Sequence, residues 1–436
     1  MRIPHPCAHP GPRLARTCVL LAAALVAGCG SNGSATTHAS AAVSEDATGG
    51  AGASCQATVL DTLTNGVLVR IYHEGIHSER TIVAQKLVEG DRALAAAVAA
   101  GDAAGAQQAA QRLLATGKLT NLVIVAGGRR LVDLGPPAIT PLHGVIRAPS
   151  GAVAGTYVTS VWSDEGFKDE GMGVAQGSIA IRRGTRSVGG TFAMGRGVLP
   201  GQGELRVGPT AYVYSSFPAE AFPAGRARIY LIKTAAQTAR LCGSTHTETV
   251  MNTLRNVAQL IYGGEGGNRA QVEVRRVQSD PALLQAVAAR NPVAARAAIE
   301  SLLNHHIVRL RVSAGRSPLA DIGAKDALAP VAGTLRLGGH RIGSLMLSIQ
   351  DDEGYKRLLE RLVGLRVIMS IGAEVVKNSL GPLPAGQLPP TSGAYEYKGQ
   401  GYEVFTLHFA GVPTAHRTTT ASVPLTVRVL VPMPYT

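Results

Sequence analysis

The chain repeats part of its own sequence, and this repeat constrains its fold more than any other feature. Residues 160–167 (SVWSDEGF) match residues 348–355 (SIQDDEGY) at an offset of 188, with four of eight residues identical. Residues 131–135 match residues 319–323 at the same offset. Further matches in the same order join Gly155 to Gly343 and Ile71-Tyr72 to Ile261-Tyr262. Separate motifs that keep their order predict two homologous modules.

Each copy passes from helical to strand-like hydrophobic spacing. The long stretches 56–88 and 245–278 have apolar residues at helical spacing, and shorter Ala-rich helices follow them. The pattern then alternates as in strands that have one buried and one wet face. We therefore predict an α+β fold of two tandem modules, at 55–238 and 239–436. In each, a long N-terminal helix packs on an antiparallel sheet.

The first copy has diverged from the second at its most polar segment. Trp162 replaces Gln350, and Ser163 replaces Asp351. The second copy has a helix after Asp352, and the glycines of 166–177 are expected to break its counterpart in the first copy. We therefore expect ligand binding in the second copy.

The N-terminus has the features of a secretion signal. Basic residues precede an apolar run of signal-peptide length, which ends in Leu25-Val26-Ala27-Gly28-Cys29. This resembles the lipobox of bacterial lipoproteins. We predict a signal peptide at 1–28, lipid on Cys29, a flexible tether at 29–54 and an extracytoplasmic location on the outer face of the cell membrane. The alternative is a signal peptide cut elsewhere.

Two cysteines remain for the exported part, because Cys7 and Cys18 leave with the leader. Cys55 and Cys242 occupy similar places before the long helix of each copy. In an oxidising compartment these two are expected to form a disulfide. The alternative is two buried free thiols.

The basic balance of the chain restricts its partners. With 42 basic and 29 acidic residues the formal net charge is +13. The sequence has no dense Lys/Arg run interleaved with aromatics, so we expect no nucleic-acid partner. Weak attraction to anionic lipid or wall polymer accounts for such a charge.

The order of elements resembles the Cache superfamily of extracytoplasmic sensor domains, also called PDC sensors, which are PAS-like. The resemblance rests on residues 308–312, 320–323, 339–343, the strand 344–349 and the helix from Asp352. It implies a helix packed on a sheet and a pocket that binds a small extracellular metabolite. It also implies a membrane signalling or transport partner, because the chain has no signalling part of its own.

A pocket of that kind would draw on polar residues of the second copy. The candidates for ammonium or hydroxyl groups are Asp321, Ser348, Gln350, Asp351, Asp352 and Tyr355. The candidates for a carboxylate are Arg309, Arg311, Arg316 and Arg341. Each has a structural alternative: Asp352 as a helix N-cap, Asp321 as a turn residue, and Tyr355 as core.

One motif indicates a different chemistry. His73-Glu74-Gly75-Ile76-His77 matches H-E-x-x-H, which on a helix binds zinc with the glutamate as general base. The aligned segment 263–267 has no histidine, and Gly75 weakens a helix. A zinc hydrolase is thus the less favoured alternative. We expect a non-enzymatic lipoprotein that binds a small polar metabolite without a cofactor. The other rival is a structural or interaction lipoprotein that has no ligand.

Overall fold

The computed structural model describes residues 51–184, 186–188, 199–303, 306–315, 317–383, 387–412 and 422–435. The predicted signal peptide, lipid site Cys29 and most of the tether lie outside these ranges. Among the described helices, none combines the length and the apolar character that crossing a membrane requires.

The first copy contains seven helices and eleven strands among its described residues. Its helices are α1 (Ala51–Leu63), continued by a π-helical turn (Thr64–Leu68) into α2 (Val69–Glu74), then α3 (Glu79–Gly90), α4 (Arg92–Ala99), α5 (Ala103–Ala115), α6 (Asp164–Ala175) and α7 (Ala235–Ala239). Its strands are β1 (Asn121–Ala126), β2 (Arg129–Leu134), β3 (Ala138–Ile139), β4 (Leu142–Arg147), β5 (Val153–Ser160), β6 (Trp162–Ser163), β7 (Ser178–Arg183), β8 (Arg186–Val188), β9 (Gln202–Val207), β10 (Thr210–Glu220) and β11 (Arg226–Thr234).

The second copy follows the same order of elements. Its helices are α8 (His246–Glu265), α9 (Asn268–Gln278), α10 (Pro281–Ala288), α11 (Pro292–Leu303) and α12 (Asp352–Leu358), which continues into a π-helical turn (Leu359–Val363). Its strands are β12 (Arg309–Ala314), β13 (Ser317–Gly323), β14 (Ala327–Leu328), β15 (Val331–Leu337), β16 (His340–Ser348), β17 (Gln350–Asp351), β18 (Arg366–Ile371), β19 (Glu374–Asn378), β20 (Gly393–Tyr397), β21 (Gln400–Gly411) and β22 (Val423–Pro432).

The sheets of the two copies have corresponding strand orders. A four-stranded antiparallel sheet has the order β2-β1-β5-β4 in the first copy and β13-β12-β16-β15 in the second. A larger sheet has the order β8-β7-β11-β10-β9, and its counterpart contains β19-β18-β22-β21, with β20 on β21. The prediction of an α+β fold is confirmed.

The long N-terminal helices are shorter than predicted. The stretch 56–88 is broken by a turn after Glu74, because Ser78 caps a new helix. Its hydroxyl accepts the Thr81 N–H, and its own N–H donates to the Thr81 hydroxyl in return. The stretch 245–278 is likewise broken after Glu265.

The glycines of the first copy do not interrupt its helix, contrary to our expectation. Helix α6 runs without a break from Asp164 to Ala175. Gly171 is buried, and a Cβ there would overlap the Ile179 side chain. Close packing against a strand therefore outweighs the low helix propensity of glycine.

The two copies share one apolar core. The largest cluster of buried side chains joins α1 and α2 of the first copy to α8, the π-helical turn after α12 and the large sheet of the second. In each copy, one smaller apolar cluster lies between the four-stranded sheet and the three helices that precede it. Cys55 of α1 and Cys242, which lies between α7 and α8, are joined by a disulfide with their Cα atoms 5.7 Å apart.

The repeated tyrosines attach each long helix to its sheet region. Tyr262 of α8 accepts a hydrogen bond from the Ala329 N–H at 2.9 Å and donates one to the Ala410 carbonyl. Tyr72 of α2 accepts one from the Glu220 N–H at 2.8 Å. The match between Ile71-Tyr72 and Ile261-Tyr262 thus marks a structural contact.

The repeated glycine that ends the matched motif is required by the backbone. Gly135 and Gly323 have φ of +107° and +126°. A Cβ on Gly323 would overlap the Val308 carbonyl oxygen, and one on Gly135 would overlap the Thr120 carbonyl oxygen.

Replacing Gly323 by alanine is expected to lower the free energy of unfolding by roughly 2–4 kcal/mol, from backbone strain and the clash together. Denaturant unfolding would measure it. Gly338→Ala is the control for φ alone, because Gly338 also has a positive φ (+57°) but nothing lies near its Cβ position. Equal losses in the two variants would contradict the role of the clash.

Candidate functional site

The centre of the candidate site is a buried cluster of two arginines and one aspartate on the four-stranded sheet of the second copy. Arg309 and Arg311 lie on β12, and Asp321 lies on β13 directly opposite Arg311. Arg309 donates to both Asp321 carboxylate oxygens, each at 2.8 Å. Arg311 donates to Oδ2 of Asp321 from Nε at 2.9 Å and from Nη2 at 2.6 Å. We call these three residues the arginine–aspartate cluster.

The cluster is almost closed to solvent and carries an excess positive charge. The side chains of Arg309, Arg311 and Asp321 are 5%, 8% and 11% exposed. Burial alone would raise the pKa of Asp321, but the hydrogen bonds and charges of both arginines outweigh it and hold that pKa below its usual value. The ionised carboxylate neutralises only one of the two guanidinium charges.

All three guanidinium nitrogens of Arg309 donate hydrogen bonds within the protein. Besides Asp321, it donates from Nη1 to the carbonyl of Lys325 at 2.9 Å. Its role is therefore to hold the β13 end in place and to fix Asp321, which in turn orients Arg311.

Arg311 also lines a cleft on the sheet face that lies opposite the three helices. The cleft has a volume of about 330 Å³ and is lined by Arg311, Ser313, Ala332, Gly333, Thr334, Arg341, Ser344, Leu345 and Met346. We call it the second-copy cleft. None of these lining residues is acidic. Arg341 is exposed and lies directly opposite Arg336 on β15, and like charges in that position are destabilising.

The corresponding face of the first copy lacks the buried charges. Strand register places Val123 of β1 where β12 has Arg311, and Asn121 where it has Arg309. Asp133 is present, but it pairs with Arg130 at 2.6 Å in a bridge whose side chains are each 56% exposed. The arginine–aspartate cluster is therefore a feature of the second copy.

Ser348 and Gln350 lie beside the cluster but face the interior. Ser348 is fully buried, and its hydroxyl lies within hydrogen-bond range of the Leu328 carbonyl and of the Gln350 carbonyl, to which it can donate at 2.7 Å. The Gln350 side-chain nitrogen is buried and has no hydrogen-bond partner within the described part of the chain.

Asp351, Asp352 and Tyr355 have structural contacts. Asp351, rather than Asp352, is the N-cap of α12, because its carboxylate accepts the Gly354 N–H at 2.8 Å. Asp352 pairs with Lys377 at 3.2 Å. Tyr355 is fully buried and donates to the Ala258 carbonyl of α8 at 2.9 Å. Of the ten predicted residues, Arg311 and Arg341 line the cleft, and Arg316 lies outside the described residues. The other seven are held within the protein beside it.

The His73–His77 motif extends past the end of its helix. Helix α2 ends at Glu74, and Gly75 follows it as the C-cap. Glu74 faces Arg361 at 3.4 Å, and burial raises its pKa despite the nearby arginines. Over the residues that the structure describes, no group of three or more His, Cys, Asp or Glu side chains could hold a metal ion.

Sequence reasoning missed the hydroxyl groups of the cleft. Ser313 and Ser344 are direct cross-strand partners, and Thr334 lies opposite Ser344 on β15. Alternation within β12 and β16 was the available signal, since these positions share a face with Arg311.

The chain matches no protein-family model, no curated protein and no solved structure. Its function therefore has to be argued from its own geometry.

Proposed function

We propose that this protein is a non-enzymatic, lipid-anchored extracytoplasmic protein with Cache-like modules. In this proposal the second-copy cleft binds a small anionic metabolite, with a carboxylate as the charged group. The observation that carries the proposal is the excess positive charge of the arginine–aspartate cluster beside an open cleft.

Charge favours an anion over the other polar ligands. Asp321 fixes Arg311 at the floor of the cleft, and Arg341 adds a second, exposed guanidinium at its rim. Guanidinium groups bind carboxylates through charge-assisted hydrogen bonds, which are stronger than those between neutral groups. A bound anion would also relieve the repulsion between Arg336 and Arg341.

The hydroxyl groups would complete the recognition of a small polar molecule. Ser313, Ser344 and Thr334 lie side by side across three strands that share the cleft. A hydroxyl can donate to a carboxylate or accept from a ligand hydroxyl.

The cellular role rests on the sequence. The lipobox ending at Cys29 supports anchoring at the outer face of the membrane. A binding module of this kind would act through a separate membrane signalling or transport protein.

A structural or interaction lipoprotein is the second candidate, and one observation favours it. Ser348, Asp351 and Tyr355, which we expected near a ligand, satisfy their polar groups within the protein. In this alternative the arginine–aspartate cluster only fixes the sheet.

The test is binding of succinate and citrate to the purified protein, measured by calorimetry. We expect both to bind, with affinity that falls as salt is added, because the contacts are ionic. Arg341→Val, which copies Val153 at the corresponding first-copy position, is expected to weaken binding about tenfold, since it removes one charge-assisted contact.

The matched control is Arg147→Gln. Arg147 is also an exposed hairpin arginine, whose Nη1 donates to Gly151, but it belongs to the first copy. This variant should bind as the wild type does. Failure of both anions to bind, or equal loss in the two variants, would leave the structural alternative as the better account.

A further inference from the structure

A second cavity lies in the first copy, and none of the predicted ligand-binding residues lines it. It has a volume of about 540 Å³ and lies on β7, β10 and β11 of the five-stranded sheet. Its lining residues are Arg182, Gly184, Leu199, Pro218, Ala219, Arg226, Ala227, Arg228 and Tyr230. We call it the first-copy cavity. It is on a different sheet from the second-copy cleft.

Two arginines lie directly opposite each other on the floor of this cavity. Arg182 of β7 and Arg228 of β11 are cross-strand partners, and both line the cavity. Arg182 is only 3% exposed. Because guanidinium groups bind anions through charge-assisted hydrogen bonds, two of them at opposed positions can hold one anionic group between them.

The position of one guanidinium is fixed by the neighbouring strand. Arg228 donates from Nη1 to the Ser216 hydroxyl at 3.0 Å, and Ser216 donates to the Gly201 carbonyl at 2.7 Å. Arg226 adds a third, exposed guanidinium at the rim, where Glu220 is its cross-strand partner. No acidic side chain is among the lining residues that the structure describes.

The remainder of the lining is apolar. Leu199, Pro218 and the Tyr230 ring lie beside the arginines, and the Tyr230 hydroxyl donates to the Leu199 carbonyl at 3.3 Å. An inorganic ion would leave this apolar part of the cavity without contact. A ligand with both an anionic group and an apolar body would fit the whole lining.

The second copy shows that this fold does not need the arginine pair. Its corresponding strands, β18 and β22, pair Ser370 with Thr426 where the first copy pairs Arg182 with Arg228. The sheet forms in both copies, so the charge of the first-copy pair calls for another explanation.

We propose that the first-copy cavity is a binding site for a small, soluble organic anion. Its charged group would lie between Arg182 and Arg228, and its apolar body would lie on Leu199, Pro218 and Tyr230. The site is independent of the proposed function of the second-copy cleft.

The test is titration of the purified protein with phenyl phosphate, and separately with inorganic phosphate and with phenol. We expect phenyl phosphate to bind most tightly, because it meets both parts of the lining. The double variant Arg182→Ser/Arg228→Thr, which copies the second copy, is expected to weaken its binding by at least about tenfold. Arg341→Val should leave it unchanged.

Two further measurements keep the test decisive. If the double variant does not fold, Arg228→Thr alone and Arg226→Gln should each weaken binding of phenyl phosphate. Tighter binding of phenol than of phenyl phosphate, unchanged binding in the arginine variants, or no binding of phenyl phosphate to the wild type would overturn the proposal.

Discussion

Replacing Asp321 by asparagine is expected to lower the free energy of unfolding by about 3–5 kcal/mol. The carboxylate receives four hydrogen bonds from two arginines that are almost fully buried. Asparagine keeps the shape but removes the negative charge, so two buried guanidinium groups would lose their carboxylate partner. Urea unfolding at neutral pH would measure the loss.

The first copy provides the matched control. Asp133→Asn removes the corresponding carboxylate, whose bridge to Arg130 is exposed. Exposed pairs contribute about 0–1 kcal/mol, so this variant should unfold almost as the wild type does. A loss of similar size in both variants would show that the arginine–aspartate cluster adds nothing beyond an ordinary surface bridge.

The effect of Asp321 should depend on pH in a defined direction. Because its pKa is lowered in the folded protein, Asp321 is ionised there at pH values at which the unfolded chain has begun to bind the proton. Its contribution is complete above the usual aspartate pKa of about 4 and is lost as the pH falls through the lowered value. The stability difference between wild type and Asp321→Asn should therefore narrow below about pH 4.

Loss of the disulfide is also expected to destabilise the folded protein strongly. The bond closes a loop of 187 residues between Cys55 and Cys242, and it joins α1 to the segment that precedes α8. Replacing Cys242 by serine releases that constraint on the unfolded chain and should lower the free energy of unfolding by about 2–4 kcal/mol. Denaturant unfolding would measure this value.

The double variant Cys55→Ser/Cys242→Ser is the control for a free thiol. It should match the single variant, and the wild type in dithiothreitol should approach both. If dithiothreitol left the denaturant midpoint of the wild type unchanged, the bond would have no stabilising role in solution.

Local pattern predicted much of the fold, because hydrophobic periodicity and the repeat both report on buried faces. It misplaced the ends of the long helices, since the Ser78 cap competes with a continuing helical pattern. It also failed at α6, where Gly171 is retained by contact with Ile179. Contacts of this kind depend on tertiary packing, which a single segment does not encode.

The candidate site was predictable only in part. Alternation places Arg309, Arg311 and Asp321 on one face, but only the register between β12 and β13 shows that the arginines bind this aspartate. Tyr355 has the same local pattern whether it fills a core or closes a pocket. Its hydrogen bond to Ala258, nearly a hundred positions away, decides this and is invisible to a local pattern.

The shared core constrains how the sequences of the two copies can differ. A change at Leu63 or Phe405 must be accommodated by side chains of both copies, because all belong to one apolar cluster. Side chains on the sheet faces turned away from that core can change without any adjustment in the other copy. Sequence differences between the copies should therefore be most frequent on these faces. The corresponding positions Val123 and Arg311, and likewise Arg182 and Ser370, differ in this way. The outer faces are therefore the parts of each copy whose side chains the shared core leaves free to vary.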